Sequence, residues 1–126
     1  MRDPRPDDAV DPDFGLYLGT GWLRRRRGAD ITWPHLWISW PDFGLPLDAT
    51  AARAAIADLY ARASRGERVE VACGGGTGRT GTVLACLATM DGLGADDAVA
   101  WTRALYRPKA VETPWQRRWV RAFARA

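Results

Sequence analysis

Histidine and cysteine are scarce in this sequence, which has one histidine (His35) and two cysteines (Cys73 and Cys86) among 126 residues. No cluster of these residues has the spacing of metal ligands, so we expect no metal site. His35 has no cysteine, serine or carboxylate beside it, and we expect a surface or loop residue rather than a catalyst. Cys86 lies in an apolar helical run and is expected to fill the core.

The sequence also lacks a signal peptide and any apolar run long enough to span a bilayer. We therefore expect a cytoplasmic protein with reduced thiols and no membrane partner. Lysine is nearly absent, since only Lys109 among the 18 basic residues is a lysine, and the net charge is +3. No basic stripe alternates with aromatic residues, which argues against nucleic acid as a partner, whereas a small positive charge suits an anionic substrate.

The length of the chain suits one domain with one core. Residues 1–13 are rich in proline and aspartate and predict a flexible N-terminal arm, which leaves 14–126 as the single domain. Apolar patterns predict strands at 14–18, 21–23, 36–39 and 69–72. Capping residues and stop signals predict helices from Asp48 or Thr50 to the stop at Gly66, from Thr80 to about Met90, from Asp96 and Asp97 to before Pro108, and from Thr113 onwards.

One stretch combines the groups needed for phosphoryl chemistry. A short β-branched run ends at a thiol, a glycine-rich bend follows, and an arginine opens an apolar helix. Glycines let successive backbone N–H groups turn inward, and a helix N-terminus favours both an anion and a thiolate. These residues predict covalent phosphoryl transfer to the sulfur of Cys73. Arg79 is expected to bind two phosphate oxygens, and the Thr80 hydroxyl to form a hydrogen bond with the sulfur. The residues expected to bind the phosphate through the loop are Gly74, Gly75, Gly76, Thr77 and Gly78.

Three other interpretations of this stretch are weaker. Gly76-x-Gly78-x-x-Gly81 fits the dinucleotide-binding pattern, but that pattern belongs to the first strand of a much larger domain. A Walker-type phosphate loop would need glycine in place of Cys73 and lysine in place of Arg79. The remaining alternative is a glycine-rich turn beside a buried cysteine.

A second stretch, Trp40-Pro41-Asp42-Phe43-Gly44, predicts a shaped loop because proline and glycine fix its turns. A carboxyl group held beside two aromatic side chains is suited to general acid catalysis, which makes Asp42 the candidate acid. Aspartate is also common in turns after proline, so a purely turn-forming role is the alternative.

Together these two stretches resemble cysteine-dependent protein tyrosine phosphatases, including the compact dual-specificity members. Cys73-x5-Arg79-Thr80 resembles the phosphate loop of that family, and Trp40 to Gly44 resembles its acid loop, in the same chain order. The resemblance implies a phosphotyrosine-phosphatase-like α/β fold: a small, central, mostly parallel sheet with helices on both faces. It also implies a nucleophilic Cys73, a general acid at Asp42, and no metal or organic cofactor.

A third segment extends the resemblance. Val111-Glu112-Thr113-x-x-Gln116 is similar to a Val-Gln-Thr-x-x-Gln segment whose glutamines position the hydrolytic water, which implies that role for Gln116 and Glu112. The alternative is structural, because Thr113 and Gln116 also have the spacing of a capping box. The chain departs from the family in Glu112, in Phe43, and in Ala72, where a histidine is usual.

The implied substrate is a phosphorylated protein or a small phosphate monoester, with phosphotyrosine favoured. Two other functions fit the same residues. One is a non-catalytic pseudophosphatase that binds phosphoprotein; the other is a phosphatase for inositol phosphates or phosphoinositides. Members of the last group often carry basic residues inside the phosphate loop, whereas residues 74–78 are uncharged here.

Overall fold

A computed structural model of the chain describes residues 10–21, 25, 28–74 and 77–125. Most of the predicted N-terminal arm therefore lies outside the described residues. Its last residue, Asp13, is attached to the domain: the Asp13 amide donates to the carbonyl oxygen of Arg68 at 2.7 Å, and the Asp13 carboxylate accepts from the Arg68 amide at 2.8 Å. These bonds set the start of the first strand.

The centre of the fold is a parallel sheet, as predicted. It contains β1 (Phe14–Gly19), β2 (His35–Ser39) and β3 (Val69–Cys73) in the order β2-β1-β3. Leu16 is the register partner of both Leu36 and Val71, and every residue of β1 is buried because a strand flanks it on each side. The strand predicted at 21–23 is not observed at Gly21, which has helical backbone, and its other residues lie outside the described ones.

Four long helices follow, close to the predicted positions. They are α1 (Ala49–Ser64), α2 (Gly78–Met90), α3 (Ala95–Leu105) and α4 (Pro114–Arg125), with a short 3-10 turn at Gly28–Asp30. The Asp48 carboxylate caps α1 by accepting from the Ala51 amide at 3.0 Å, and Gly66 follows the helix at φ 90°, where glycine is unstrained. Among the described residues, no helix combines the length and apolar character that crossing a membrane requires.

The two faces of the sheet differ in what covers them. Even-numbered residues of β1 face a large cluster to which all four helices contribute buried side chains, among them Ile56, Val83, Val99 and Val120. Tyr17 points to the opposite face and packs with Ile31, Ala72 and two tryptophans, Trp33 and Trp37. Within the described part of the chain, the long helices thus belong to one face, and the segment that precedes β2 covers the other. The helices expected on both faces are therefore not observed there, because aromatic side chains of the segment before β2 pack on the second face.

Parallel strands place both candidate loops at one edge of the sheet. The acid loop begins at Trp40, directly after β2, and the phosphate loop begins after Cys73, the last residue of β3. Because carboxyl ends of parallel strands share an edge, functional groups that follow them come together there.

Replacing Leu16 by alanine tests the core at its centre. This side chain is 1% exposed, so Leu16→Ala is expected to lower the free energy of unfolding by about 2–5 kcal/mol through lost burial and a residual cavity. Leu47→Ala is the matched control, because Leu47 is 73% exposed and its loss is expected to change stability by less than about 0.5 kcal/mol. Equal urea midpoints for the two variants would contradict this description of the core.

Candidate active site

Cys73 and Thr80 form the floor of the site. Cys73 is 3% exposed, and the Thr80 hydroxyl, in the first turn of α2, donates to the Cys73 Sγ at 3.0 Å. Both ends of the phosphate loop are described, whereas the predicted phosphate-binding residues Gly75 and Gly76 lie outside the described residues. The residue after the loop, Thr80, therefore donates its hydroxyl to the sulfur of the residue before the loop, Cys73.

Glycine allows α2 to lie against the segment 110–112. A Cβ atom at Gly78 would overlap the carboxylate of Glu112, and one at Gly81 would lie 2.6 Å from the Cβ of Ala110. Distances this short exclude a side chain at either position unless the neighbour moves. These two glycines thus permit a close tertiary contact, a role that the sequence analysis did not assign to them.

Arg79 joins the phosphate loop to the acid loop. Its side chain is 7% exposed, its Nη1 donates to the carbonyl oxygen of Trp40 at 3.0 Å, and its Nε lies 3.7 Å from Oδ1 of Asp42. The Nε–H is buried and has no hydrogen-bond acceptor among the described residues. The structure thereby brings Arg79 and Asp42 together, although the two residues are far apart in sequence.

The acid loop has a defined and strained shape. The buried Trp40 indole donates to the carbonyl oxygen of Gly44 at 2.8 Å, and the Gly44 amide closes a turn on the Pro41 carbonyl at 3.0 Å. Phe43 has φ 60°, a left-handed conformation that is unfavourable for a residue other than glycine. Its amide donates to Oδ1 of Asp42 at 3.0 Å, so this strained turn orients the carboxylate.

Gln116 is fully buried and connects α4 to the acid loop. Its Oε1 accepts from the amides of Glu112 at 3.0 Å and Thr113 at 3.3 Å, while its own amide donates to the Thr113 hydroxyl at 3.1 Å. This reciprocal pattern is a capping box. The Nε2 of Gln116 donates to the carbonyl oxygen of Gly44 at 3.1 Å, so both ends of the side-chain amide contact backbone. Its role in positioning water stays a prediction.

Glu112 and Thr77 lie at the rim of the phosphate loop. Glu112 is exposed, and its carboxylate approaches the backbone of Gly78. The Thr77 hydroxyl accepts a hydrogen bond from Nη1 of Arg107 at 3.1 Å. Of the two residues proposed to position water, Glu112 therefore has its carboxylate beside the loop, whereas the Gln116 side chain contacts backbone behind it.

Sequence reasoning missed two aromatic residues at this site. The Trp115 indole donates to the carbonyl oxygen of Phe43 at 2.6 Å, which adds a second link between α4 and the acid loop. Burial raises the pKa of Tyr106, the charge of Arg107 partly offsets this increase, and the proximity of Cys73 adds to it. No sequence signal distinguished Trp115, because it lies four residues before the buried Trp119 on α4 and thus resembles a further core residue of that helix.

The remaining histidine and cysteine lie away from the site. His35 is exposed at the start of β2, the end opposite the two loops, and its Nδ1 lies 2.8 Å from the carbonyl oxygen of Trp33. Cys86 is a free thiol buried in α2, and burial raises its pKa far above the usual range. Among the described residues, no group of three potential metal ligands occurs.

Residues 21–124 match the family model described as PTP-SAK: Swiss Army Knife protein, DSP-PTPase phosphatase domain. The match covers most of the chain, and the chain belongs to this family of dual-specificity-type phosphatase domains. It is also 35% identical over 91 residues to the uncharacterized protein MJECL20 of Methanocaldococcus jannaschii. That alignment covers 71% of this chain and 59% of the relative, so the chain spans about three fifths of the relative's length.

Solved phosphatase structures share the fold. Tk-PTP in a glycine-to-alanine mutant form superposes with a TM-score of 0.77 at 24% identity, covering 91% of this chain and 78% of that one. Tk-PTP in the active form superposes with a TM-score of 0.72 at 26% identity, covering 91% of this chain and 80% of that one. Kinase associated phosphatase (KAP), with its catalytic-site cysteine replaced by serine, gives 0.70 at 22% identity, with coverages of 90% and 68%. The resemblance and the fold class predicted from the sequence are confirmed.

Replacing Trp115 by phenylalanine tests its link to the acid loop. Trp115→Phe keeps a ring but removes the indole donor to the Phe43 carbonyl, so hydrogen-exchange protection of the Gly44 amide is expected to fall about tenfold. Trp101→Phe is the control, because Trp101 is 47% exposed on α3. Unchanged protection in Trp115→Phe, measured by NMR, would show that this hydrogen bond does not hold the loop.

Proposed function

We propose that this domain hydrolyses phosphate monoesters, most readily phosphotyrosine in proteins, through a cysteinyl-phosphate intermediate on Cys73. One observation carries the proposal. The Thr80 hydroxyl donates to the Cys73 sulfur, and the preceding residue, Arg79, has a buried Nε–H that finds no acceptor among the described residues and lies near the Asp42 carboxylate. The phosphate loop thus supplies a hydroxyl that stabilises the sulfur and a guanidinium that can bind an oxyanion, and the neighbouring acid loop supplies a candidate proton donor. Family membership supports phosphatase chemistry of this general type.

In the first step the thiolate of Cys73 attacks phosphorus. The S–P bond forms, the ester P–O bond breaks, and Asp42 transfers its proton to the departing oxygen. Arg79 and the loop amides at 74–78 stabilise the equatorial oxygens as negative charge develops on them. The position of Asp42, 3.7 Å from the Arg79 Nε, supports this division of roles because donor and acid then flank one phosphoryl group.

In the second step water attacks the phosphocysteine. Asp42, now a carboxylate, accepts the proton of water, the S–P bond breaks, and inorganic phosphate leaves with the thiolate restored. The Thr80 hydroxyl, 3.0 Å from the sulfur, stabilises the thiolate as it departs from phosphorus. Glu112 and Gln116 are proposed to position the water, Glu112 from the rim of the loop and Gln116 through the backbone that it holds.

The proposed substrate is an aryl phosphate on a protein, with small phosphate monoesters accepted. The phosphate loop between Cys73 and Arg79 carries no charged side chain, which favours phosphotyrosine over the more highly charged inositol phosphates. We propose a cytoplasmic setting for this activity, because a catalytic thiolate persists only where thiols remain reduced.

Replacing each cysteine by serine separates the catalytic thiol from the structural one. Cys73→Ser is expected to abolish release of phosphate from 4-nitrophenyl phosphate while retaining phosphate binding, because the loop and Arg79 remain. Cys86→Ser, at a buried thiol in α2, is expected to retain most of the activity. Turnover by Cys73→Ser at the wild-type rate would remove Cys73 from its role. Phosphopeptide binding without turnover by the wild-type chain would favour the pseudophosphatase.

Replacing Asp42 by asparagine tests general acid catalysis through the leaving group. Asp42→Asn is expected to reduce kcat for phenyl phosphate by about a hundredfold or more, the usual contribution of a positioned acid. The loss is expected to be much smaller for an aryl phosphate with a strongly acidic phenol, which departs without a proton. Equal losses for both substrates, with an unchanged pH–rate profile, would exclude Asp42 as the acid.

A further inference from the structure

A basic cavity lies between α3 and α4, away from the phosphate loop. Its volume is about 300 Å³. Four of its lining residues follow an i, i+3, i+4, i+7 pattern on one face of α3, and the other two lie one turn apart on α4. The lining residues are Asp96, Val99, Ala100, Arg103, Arg117 and Arg121.

The charges around this cavity do not balance. Asp96 is its one carboxylate and is paired with Arg121, whose Nη2 lies 2.9 Å from Asp96 Oδ1. Arg103 donates from Nε and Nη2 to the carbonyl oxygens of Ala110 and Val111, both at 2.9 Å, and these acceptors are neutral. The Arg117 side chain has no ion pair or hydrogen bond with any described residue. Two of the guanidinium groups that line this cavity, those of Arg103 and Arg117, therefore form no ion pair with a described carboxylate.

This arrangement differs from an ordinary solvated basic surface. On the same helix as Arg117, Arg118 is exposed and does not line the cavity, so its charge is solvated in the ordinary way. Arg103 and Arg117 are both partly buried, where unneutralised charge is less well hydrated. Neighbouring like charges repel unless an anion lies between them, and guanidinium groups match the oxygens of a phosphate group in pairs.

We propose that this cavity is a second oxyanion site, which takes a phosphate group held by Arg103 and Arg117. The group is either free inorganic phosphate or a second phosphoryl group on the substrate; only the latter source rests on the proposed function. Arg103 also lines the neighbouring cleft of about 370 Å³ between Phe43 of the acid loop and Glu112 at the rim of the phosphate loop. The Arg103 side chain thus borders both the proposed second site and the cleft between Phe43 and Glu112.

Titration of the 15N-labelled chain with inorganic phosphate, at ionic strength held constant with chloride, tests the site by NMR. Two groups of signals are expected to saturate with different midpoints: amides of the phosphate loop, and the Arg103 and Arg117 Nε–H groups with nearby amides of α3 and α4. Arg117→Gln is expected to weaken the second midpoint at least tenfold and leave the first unchanged, since one charged hydrogen-bond donor is lost. Arg118→Gln, the matched control, is expected to change neither.

The absence of saturation at Arg103 and Arg117 in the wild-type chain, or the same second midpoint in Arg117→Gln, would overturn the proposal. Because these signals require no turnover, their outcome is independent of whether Cys73 is the nucleophile. Kinetics with matched phosphotyrosine peptides, one carrying a second phosphoryl group, identify the source. If Arg117→Gln raises KM roughly tenfold for the doubly phosphorylated peptide alone, the second site binds a phosphoryl group of the substrate. If KM changes equally for both peptides, while the wild-type chain shows saturation with inorganic phosphate, the site binds free phosphate.

Discussion

The buried guanidinium of Arg79 is the constraint on which the geometry of this site depends. A cation with 7% of its side chain exposed requires nearby acceptors, because desolvation without them is costly. The acid loop supplies one acceptor, the Trp40 carbonyl at 3.0 Å, and a counter-charge, the Asp42 carboxylate at 3.7 Å from the Arg79 Nε. The interaction between Arg79 and the acid loop therefore has two effects. It stabilises the buried charge in the folded chain, and it places the candidate acid, Asp42, over the phosphate loop.

The segment 110–116 contacts both the start of α2, which follows the phosphate loop, and the acid loop. Ala110 packs against Gly81 and Glu112 against Gly78, which fixes the start of α2, and Gln116 bonds the Gly44 carbonyl of the acid loop. Val111 within this segment has φ 59°, an unusual conformation for a β-branched residue, and Arg103 holds its carbonyl at 2.9 Å. Backbone strain at Val111 and at Phe43 persists because tertiary hydrogen bonds over-determine both positions.

Local pattern predicted much of the fold and the identity of the candidate loops, whereas tertiary contacts escaped it. The run into Cys73 and the apolar helix after Arg79 predicted strand, loop and helix, because each depends on neighbouring residues. The hydrogen bond from Trp115 to Phe43 joins residues 72 positions apart, so no local pattern could indicate it. Glycine at 78 was assigned to the anion cradle, although the approach of the Glu112 carboxylate also requires it.

Detection of the cysteinyl-phosphate intermediate on Cys73 is the sharpest test of the proposed mechanism. The wild-type chain is mixed with an aryl phosphate, quenched with acid within milliseconds, and examined by mass spectrometry of its proteolytic peptides. One added phosphoryl group is expected on the peptide that contains Cys73. When the aryl phosphate has a strongly acidic phenol, the level of this group is expected to rise in Asp42→Asn, because breakdown slows while formation does not. Substrate turnover with no phosphoryl group on that peptide in either protein would contradict the proposed mechanism.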